Sequence, residues 1–172
     1  MDELIVIVLI IALLCIVWIV HTFIKKAEAR EIKYLQIELR KQRQEFFLPN
    51  RFEAYQRAIL FLERIHPNSL VMRLNKPGLP ARILQAEMLK SIREEYDHNV
   101  VQQLFISTIA WDMMKRSRED VVRIINLAGD QMIETSTSLE LSMKIFEMLS
   151  QLESLSLNVA LDYIKKEFQE GL

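Results

Sequence analysis

Residues 4–24 contain no charged side chain, and this run of 21 residues constrains the fold more than any other feature of the chain. As a helix rising ~1.5 Å per residue it extends about 31 Å, close to the ~30 Å hydrocarbon core of a bilayer. A helix packed on a protein core keeps a polar face, and this run has none. It is therefore expected to be a transmembrane helix. Trp18 stands near its C-terminal end, where interfacial aromatic rings lie, and His21 falls within a turn of Lys25, at headgroup level. A cleaved signal peptide fits poorly: no basic region precedes the run, the run is too long, and no A-x-A site follows. Cys15 follows Leu14 rather than a small residue, which argues against a lipoprotein signal. As the single cysteine it excludes an intrachain disulfide and a Cys-rich zinc site.

The flanks set an orientation. Lys25, Lys26, Arg30 and Lys33 follow the run, and only Asp2 and Glu3 precede it. The positive-inside rule then places the N-terminus outside and everything beyond Ile24 in the cytoplasm. Charge divides the chain further. Residues 1–24 carry −2, residues 25–47 carry +3 and residues 48–172 carry −2. The expected domains are an N-terminus with its transmembrane helix (1–24), a basic helical stalk (25–47) and a cytosolic helical domain (48–172).

The stalk has no Gly or Pro, and Ile32, Leu35 and Leu39 repeat at spacings of three and four. This narrow stripe suits a spacer helix or a short two-stranded coiled coil, although it covers fewer than three heptads. Leu48-Pro49-Asn50 is expected to break it, with Asn50 and Glu53 at capping-box spacing for a new helix to about Ile65. Phe52, Tyr55, Ile59 and Leu62 form that helix's apolar stripe. His66-Pro67 ends it.

Residues 67–80 are expected to be irregular, with Leu70, Val71, Met72 and Leu74 tucked under the domain and Pro77-Gly78 in a type II turn. A second helix follows from about Pro80 past 100, with Leu84, Met88, Ile92, Tyr96 and Val100 on one face. A third spans roughly 108–134, with Val121, Ile125, Ala128 and Met132 as its seam. Gly129 beside that seam either allows close approach of a neighbour or marks a local weakness, at ~1 kcal/mol against Ala. Thr137 and Glu140 form a second capping-box pair. The final segment has two stripes, one of Leu141, Ile145, Met148, Leu152, Leu155 and Val159, the other of Leu157, Leu161, Ile164 and Phe168. It either packs between neighbours or breaks near 154–158.

No catalytic, cofactor-binding or metal-ligating set is assigned. In REEYDHN (93–99), Glu94 and His98 are four apart, a spacing that serves two metal ligands, but His21 and His66 lie elsewhere and the pair is read as a solvated helix face. Asp112, Glu119 or Asp162 join it only if the fold brings them there. KRSRED (115–120) balances its basic residues with Glu119 and Asp120 and reads as a solvent-exposed face with local ion pairs. Arg51, Arg57 and Arg64 recur along one helix, and Arg57 with Arg64 suits a phosphate or an acidic partner. Nucleophile elbows and phosphate-binding glycine loops are absent, since Gly78, Gly129 and Gly171 are isolated.

FLPNRFEAYQRAILFLERIHPNSLVMRL (47–74), LPARILQAEMLKSIREEYDHNVVQQLFIS (79–107) and AWDMMKRSREDVVRIIN (110–126) together resemble an uncharacterised bacterial family of single-span membrane proteins with a helical cytosolic domain. The resemblance covers roughly residues 46–130. It implies the architecture and no activity.

The expectation is thus an all-α protein with one N-terminal transmembrane helix, a helical stalk and a small cytosolic helical bundle, held single-pass in the inner (cytoplasmic) membrane. Its expected partners are the lipid bilayer and a protein partner or a second copy. Nucleic acid is disfavoured by the slightly acidic domain. The function that follows is a protein-interaction or scaffold module. The alternative is a ligand- or lipid-sensing domain, or an enzyme with a site between helices. Whether Arg57, Arg64, Glu94, Tyr96 and His98 converge on one pocket discriminates the two.

Overall fold

A computed structural model shows the chain to be all-α. It describes the backbone of residues 2–152 and 154–170, and the side chains of residues 13–28, 30–152 and 154–170. The helices are α1 (Asp2–Ile65), α2 (Pro67–Leu74), α3 (Ala81–Asn99), α4 (Thr108–Asp130), α5 (Ser138–Ser150) and α6 (Ser156–Glu170), with a 3-10 segment at Val100–Leu104. Among the described residues there is no strand beyond an isolated antiparallel bridge between Pro80 and Thr137. The chain divides into two compact units, Met1–Leu48 and Pro49–Leu172.

Two expectations about α1 are corrected. Among the described residues no helix is long and apolar enough to cross a membrane, which overturns the single-pass inner-membrane placement. Within residues 13–24 His21 and Thr22 interrupt the apolar run, and Lys25 and Lys26 follow at once. The side chains of residues 4–12, the first part of the expected span, lie outside the described residues. The second correction is at Pro49, which sits inside α1 rather than ending it. Proline removes its own N–H donor, yet its fixed φ of about −65° is a helical value, so the rest of the ladder continues. With no helix start at residue 50 there is no N-terminus for an Asn50–Glu53 box to cap. Glu53 instead accepts from Arg57, Oε1 to Nε at 2.8 Å.

The first unit is a helical segment on which every large apolar side chain described is exposed, from Leu13 to Leu48. The second unit has a core. Tyr55, Phe61, Leu62 and Ile65 bury from the last turns of α1, Leu84, Met88 and Ile92 from α3, and Val121 and Ile125 from α4. Leu141 and Ile145 of α5 and Leu157, Leu161 and Ile164 of α6 complete it. Phe52, expected in the first stripe, is exposed, because Ala54, Ala58 and Phe61 turn the buried face toward themselves. The two stripes of the C-terminal segment belong to two helices: Leu141 and Ile145 bury before the break, and Leu157, Leu161 and Ile164 after it.

Residues 67–74 are a helix rather than an irregular piece. Proline ends one helix and opens another equally well, since at N1 its missing N–H is not needed. The His66 ring accepts from Asn68 N–H at 3.2 Å, which caps the new helix. Leu70 and Val71 are buried as expected, and helical rotation leaves Met72 exposed. The turn at residues 76–79 forms as predicted: Leu79 N–H donates to Lys76 C=O at 3.2 Å, and Gly78 has φ +77°, the positive value that a type II turn demands.

Backbone bonds then join two loops. Ala81 N–H reaches Ser136 C=O at 2.9 Å, and Ser138 N–H reaches Leu79 C=O at 2.8 Å. They bring the starts of α3 and α5 together. The predicted Thr137–Glu140 capping box is present at the second of these starts. A polar cluster anchors α6. Glu167 accepts from the Tyr55 hydroxyl and from the Ser107 hydroxyl, while Ser107 Oγ also caps α4 by accepting from Ala110 N–H at 3.1 Å. Burial pushes the Glu167 carboxyl up, but donors from Ser107, Tyr55 and Tyr163 outweigh it and hold the group below the ordinary glutamate value.

Candidate functional site

Among the described residues, the side chains singled out along the sequence are mostly held by separate local partners. Arg57 pairs with Glu53 one turn earlier on α1. Arg64 pairs with Glu95 of α3, Nε to Oε1 at 2.7 Å, so the α3 carboxylate it meets is not Glu94. Glu94 lies 3.7 Å from Lys90 on its own helix. His98 is exposed, and no ion pair joins it to Glu94. Arg51 lies 5.9 Å over the Tyr55 ring. Asp112 accepts from Lys115, which holds its carboxyl below the usual range. Asp162 and His21 are exposed. Among the described residues no three His, Cys, Asp or Glu side chains gather to hold a metal ion.

Tyr96 is the member of that set that lines a concavity. It faces a cleft of about 470 Å³ between α3 and α4. Leu89, Ile92, Arg93, Tyr96 and Asp97 share one face of α3, and Arg118, Glu119, Val122 and Asn126 share one face of α4, each at helical spacings of three and four. The Arg118 guanidinium carbon lies 4.0 Å from the Tyr96 ring centroid. Trp111 stacks on the same tyrosine at 5.6 Å with planes 29° apart, and Phe61 adds a tilted contact at 6.1 Å. An arginine over an aromatic face is attracted by the ring quadrupole and gives up little side-chain freedom on gaining a ligand.

Arg118 has an unusual position for a surface cation. Its side chain is only 28% exposed, and its one ionic contact is a long 3.7 Å approach to the adjacent Glu119. The sequence reading placed residues 115–120 on a solvated face, and Lys115 follows that reading by pairing with Asp112 at 2.7 Å. Arg118 departs from it because α3 brings Tyr96 beneath it, a contact between segments more than twenty positions apart that no local signal encodes.

A second hollow of about 690 Å³ lies between α4 and the α5–α6 connection, lined by Ile124, Leu127, Met148, Leu152 and Leu155. Its cation, Arg123, is already held by Asp120 at 3.1 Å. The α3–α4 cleft is smaller, and its cations are held more loosely: Arg118 meets Glu119 only at 3.7 Å, and Arg93 has no ion-pair partner among the described residues.

The first unit offers a surface rather than a cavity. Ile32, Leu35 and Leu39 are 57%, 53% and 57% exposed. Arg43 is exposed and Glu38 half-buried beside them, and the neighbouring Lys41 and Glu45 pair with each other at 3.9 Å.

The chain belongs to a family of unknown function (DUF7935), which matches it over residues 2–171. The match extends well beyond the 46–130 region of the resemblance and takes in the C-terminal helices. The family's description gives no activity, and it supports neither the bacterial source nor the membrane span that the resemblance implied. No curated protein and no solved structure shows significant similarity to the chain.

Proposed function

We propose that the protein is a helical interaction module that self-associates in parallel through residues 32–43 and so presents its second unit as a pair. The observation that carries this reading is the row of Ile32, Leu35 and Leu39, each more than half exposed on a helix with no other element of its unit to pack against. Taking Ile32 and Leu39 as heptad a positions and Leu35 as d places Glu38 at g and Arg43 at the following e. In a parallel, in-register pair g of one helix meets e of the other, so Glu38 of each copy would meet Arg43 of its partner. Neither side chain has an ion-pair partner within the chain among the described residues. Antiparallel pairing lacks this match.

Sedimentation velocity of the full chain at about 100 μM is the test. A dimer is expected. Leu35→Glu with Leu39→Glu places four carboxylates at one seam and is expected to give a monomer with an unchanged circular-dichroism spectrum. Glu38→Lys weakens the dimer, and Glu38→Lys with Arg43→Glu restores it. A wild-type monomer at that concentration, or a dimer indifferent to all of these changes, would refute the proposal.

A further inference from the structure

We infer that the α3–α4 cleft binds a small monocarboxylate with an apolar body. This inference stands independently of self-association, because it concerns side chains of the second unit alone.

The argument begins with Arg118. A guanidinium presents five N–H donors in a planar fork, and the partly exposed side chain of Arg118 leaves its fork open to an acceptor entering the cleft. Among the described residues no atom accepts a hydrogen bond from Arg118, and its guanidinium carbon rests 4.0 Å from the Tyr96 ring centroid, which restrains the fork. Arg93 lines the same cleft and makes no ion pair or hydrogen bond within the described structure. Two guanidiniums on facing helices, one of them pre-oriented, suit an oxygen anion that takes two parallel hydrogen bonds.

The remaining lining narrows the class. Asp97 and Glu119 place two carboxylates beside the two cations. A dianion such as phosphate would meet their repulsion, whereas a singly charged carboxylate gains the fork and meets half of it. Leu89, Ile92 and Val122 supply an aliphatic floor, of which Ile92 is buried. A volume of about 470 Å³ lies within the ~300–1,000 Å³ typical of small-molecule pockets. A carboxylate on a short hydrocarbon body matches both halves of this lining. A bare inorganic anion matches one of them.

The experiment uses the full chain carrying Trp18→Phe, which leaves Trp111 as the only indole and changes an exposed side chain of the other unit. Hexanoate, inorganic phosphate and hexylamine are titrated in turn, read by Trp111 fluorescence and by calorimetry. Hexanoate is expected to give a saturable response in the millimolar range, and phosphate and hexylamine none. Arg118→Gln is expected to weaken hexanoate at least about ten-fold, the scale of losing hydrogen bonds to a charged group. Arg93→Gln is expected to weaken it several-fold. Arg93 makes no ion pair or hydrogen bond among the described residues, so a weaker titration with an unchanged circular-dichroism spectrum assigns that loss to the cleft. Glu119→Gln is expected to admit phosphate. The inference is overturned if hexanoate gives no saturable response, if both arginine variants titrate like the parent, or if phosphate binds the parent as well as hexanoate does.

Discussion

Residues 13–48 and residues 49–170 are both helical and both rich in apolar side chains, yet they hold those side chains in opposite ways. In the first unit leucines, isoleucines and phenylalanines stand exposed from Leu13 to Leu48. In the second, Phe61, Leu62, Met88, Ile125, Leu141, Ile145 and Leu157 are fully buried. A helix survives in both because its backbone bonds are internal. Only the second gains the ~1.5–3 kcal/mol that each buried aliphatic or aromatic side chain contributes. Apolar side chains thus form a core in one region and stand exposed in the other, and the periodicity that looks alike in the two has different consequences.

Truncation of one apolar side chain in each unit is the strongest test of this contrast. Phe61→Ala removes a fully buried ring and is expected to cost about 3–5 kcal/mol in urea denaturation followed by circular dichroism. Leu39→Ala removes an exposed side chain and is expected to stay within about 0.5 kcal/mol under conditions where the chain is monomeric. Equal losses at the two positions would mean that the first unit has a core after all, and the contrast would fail.

Carboxylates sharpen the comparison with a smaller effect. Glu45 makes an exposed pair with Lys41, whereas Glu167 gathers hydroxyls from Tyr55, Ser107 and Tyr163 around one partly buried group. The folded state holds Glu167 below its ordinary value despite burial pushing it up. In the window below about pH 4.3 the unfolded chain therefore binds the proton more readily than the folded one, and stability falls as pH falls through that window. At neutral pH the contribution is fully present. Glu167→Gln is expected to lower stability at pH 7 and to flatten the acid side of the stability profile. Glu45→Gln is expected to leave both unchanged. Denaturation midpoints measured from pH 3 to pH 7 check this, and parallel profiles for the parent and Glu167→Gln would contradict it.

How much of this was legible in the sequence depended on the range of the signal. Thr137 with Glu140, and Pro77 with Gly78, act within four residues, and both form as their chemistry predicts. The buried seam of Leu84, Met88 and Ile92 followed from spacing alone. Pro67 was ambiguous in kind, since the feature that stops one helix also starts the next. Pro49 misled for a related reason: a proline forbids one hydrogen bond and does not by itself turn a chain. Length alone suggests that the apolar run near the N-terminus spans a membrane, and among the described residues no helix is long and apolar enough to do so. The contacts that define the cleft and the Glu167 cluster were beyond reach. Arg118 meets Tyr96, and Glu167 meets Tyr55, across 22 and 112 positions, and each residue alone has the composition of an ordinary helix surface.

Gly129 gives the finest distinction between the two units, because there packing and helix propensity oppose each other. The sequence placed it beside the α4 seam as a point of close approach, and the neighbour is the Gln85 side chain of α3. A Cβ at residue 129 would fall 2.4 Å from the Gln85 amide. That amide donates to Asn126 at 3.2 Å and accepts from Arg82 at 3.3 Å. Alanine at 129 gains ~1 kcal/mol of helix propensity but displaces Gln85 and breaks its bond to Asn126, worth about 0.5–1.5 kcal/mol. The net change for Gly129→Ala is therefore expected to be within about 0.5 kcal/mol of zero. Gln85→Ala removes the obstacle, so adding Gly129→Ala to it is expected to recover close to the full ~1 kcal/mol of propensity. A double-mutant cycle by urea denaturation reads the coupling directly. If Gly129→Ala shifts stability equally with and without Gln85, then α3 does not confine position 129, and α4 there behaves as freely as the exposed helix of the first unit.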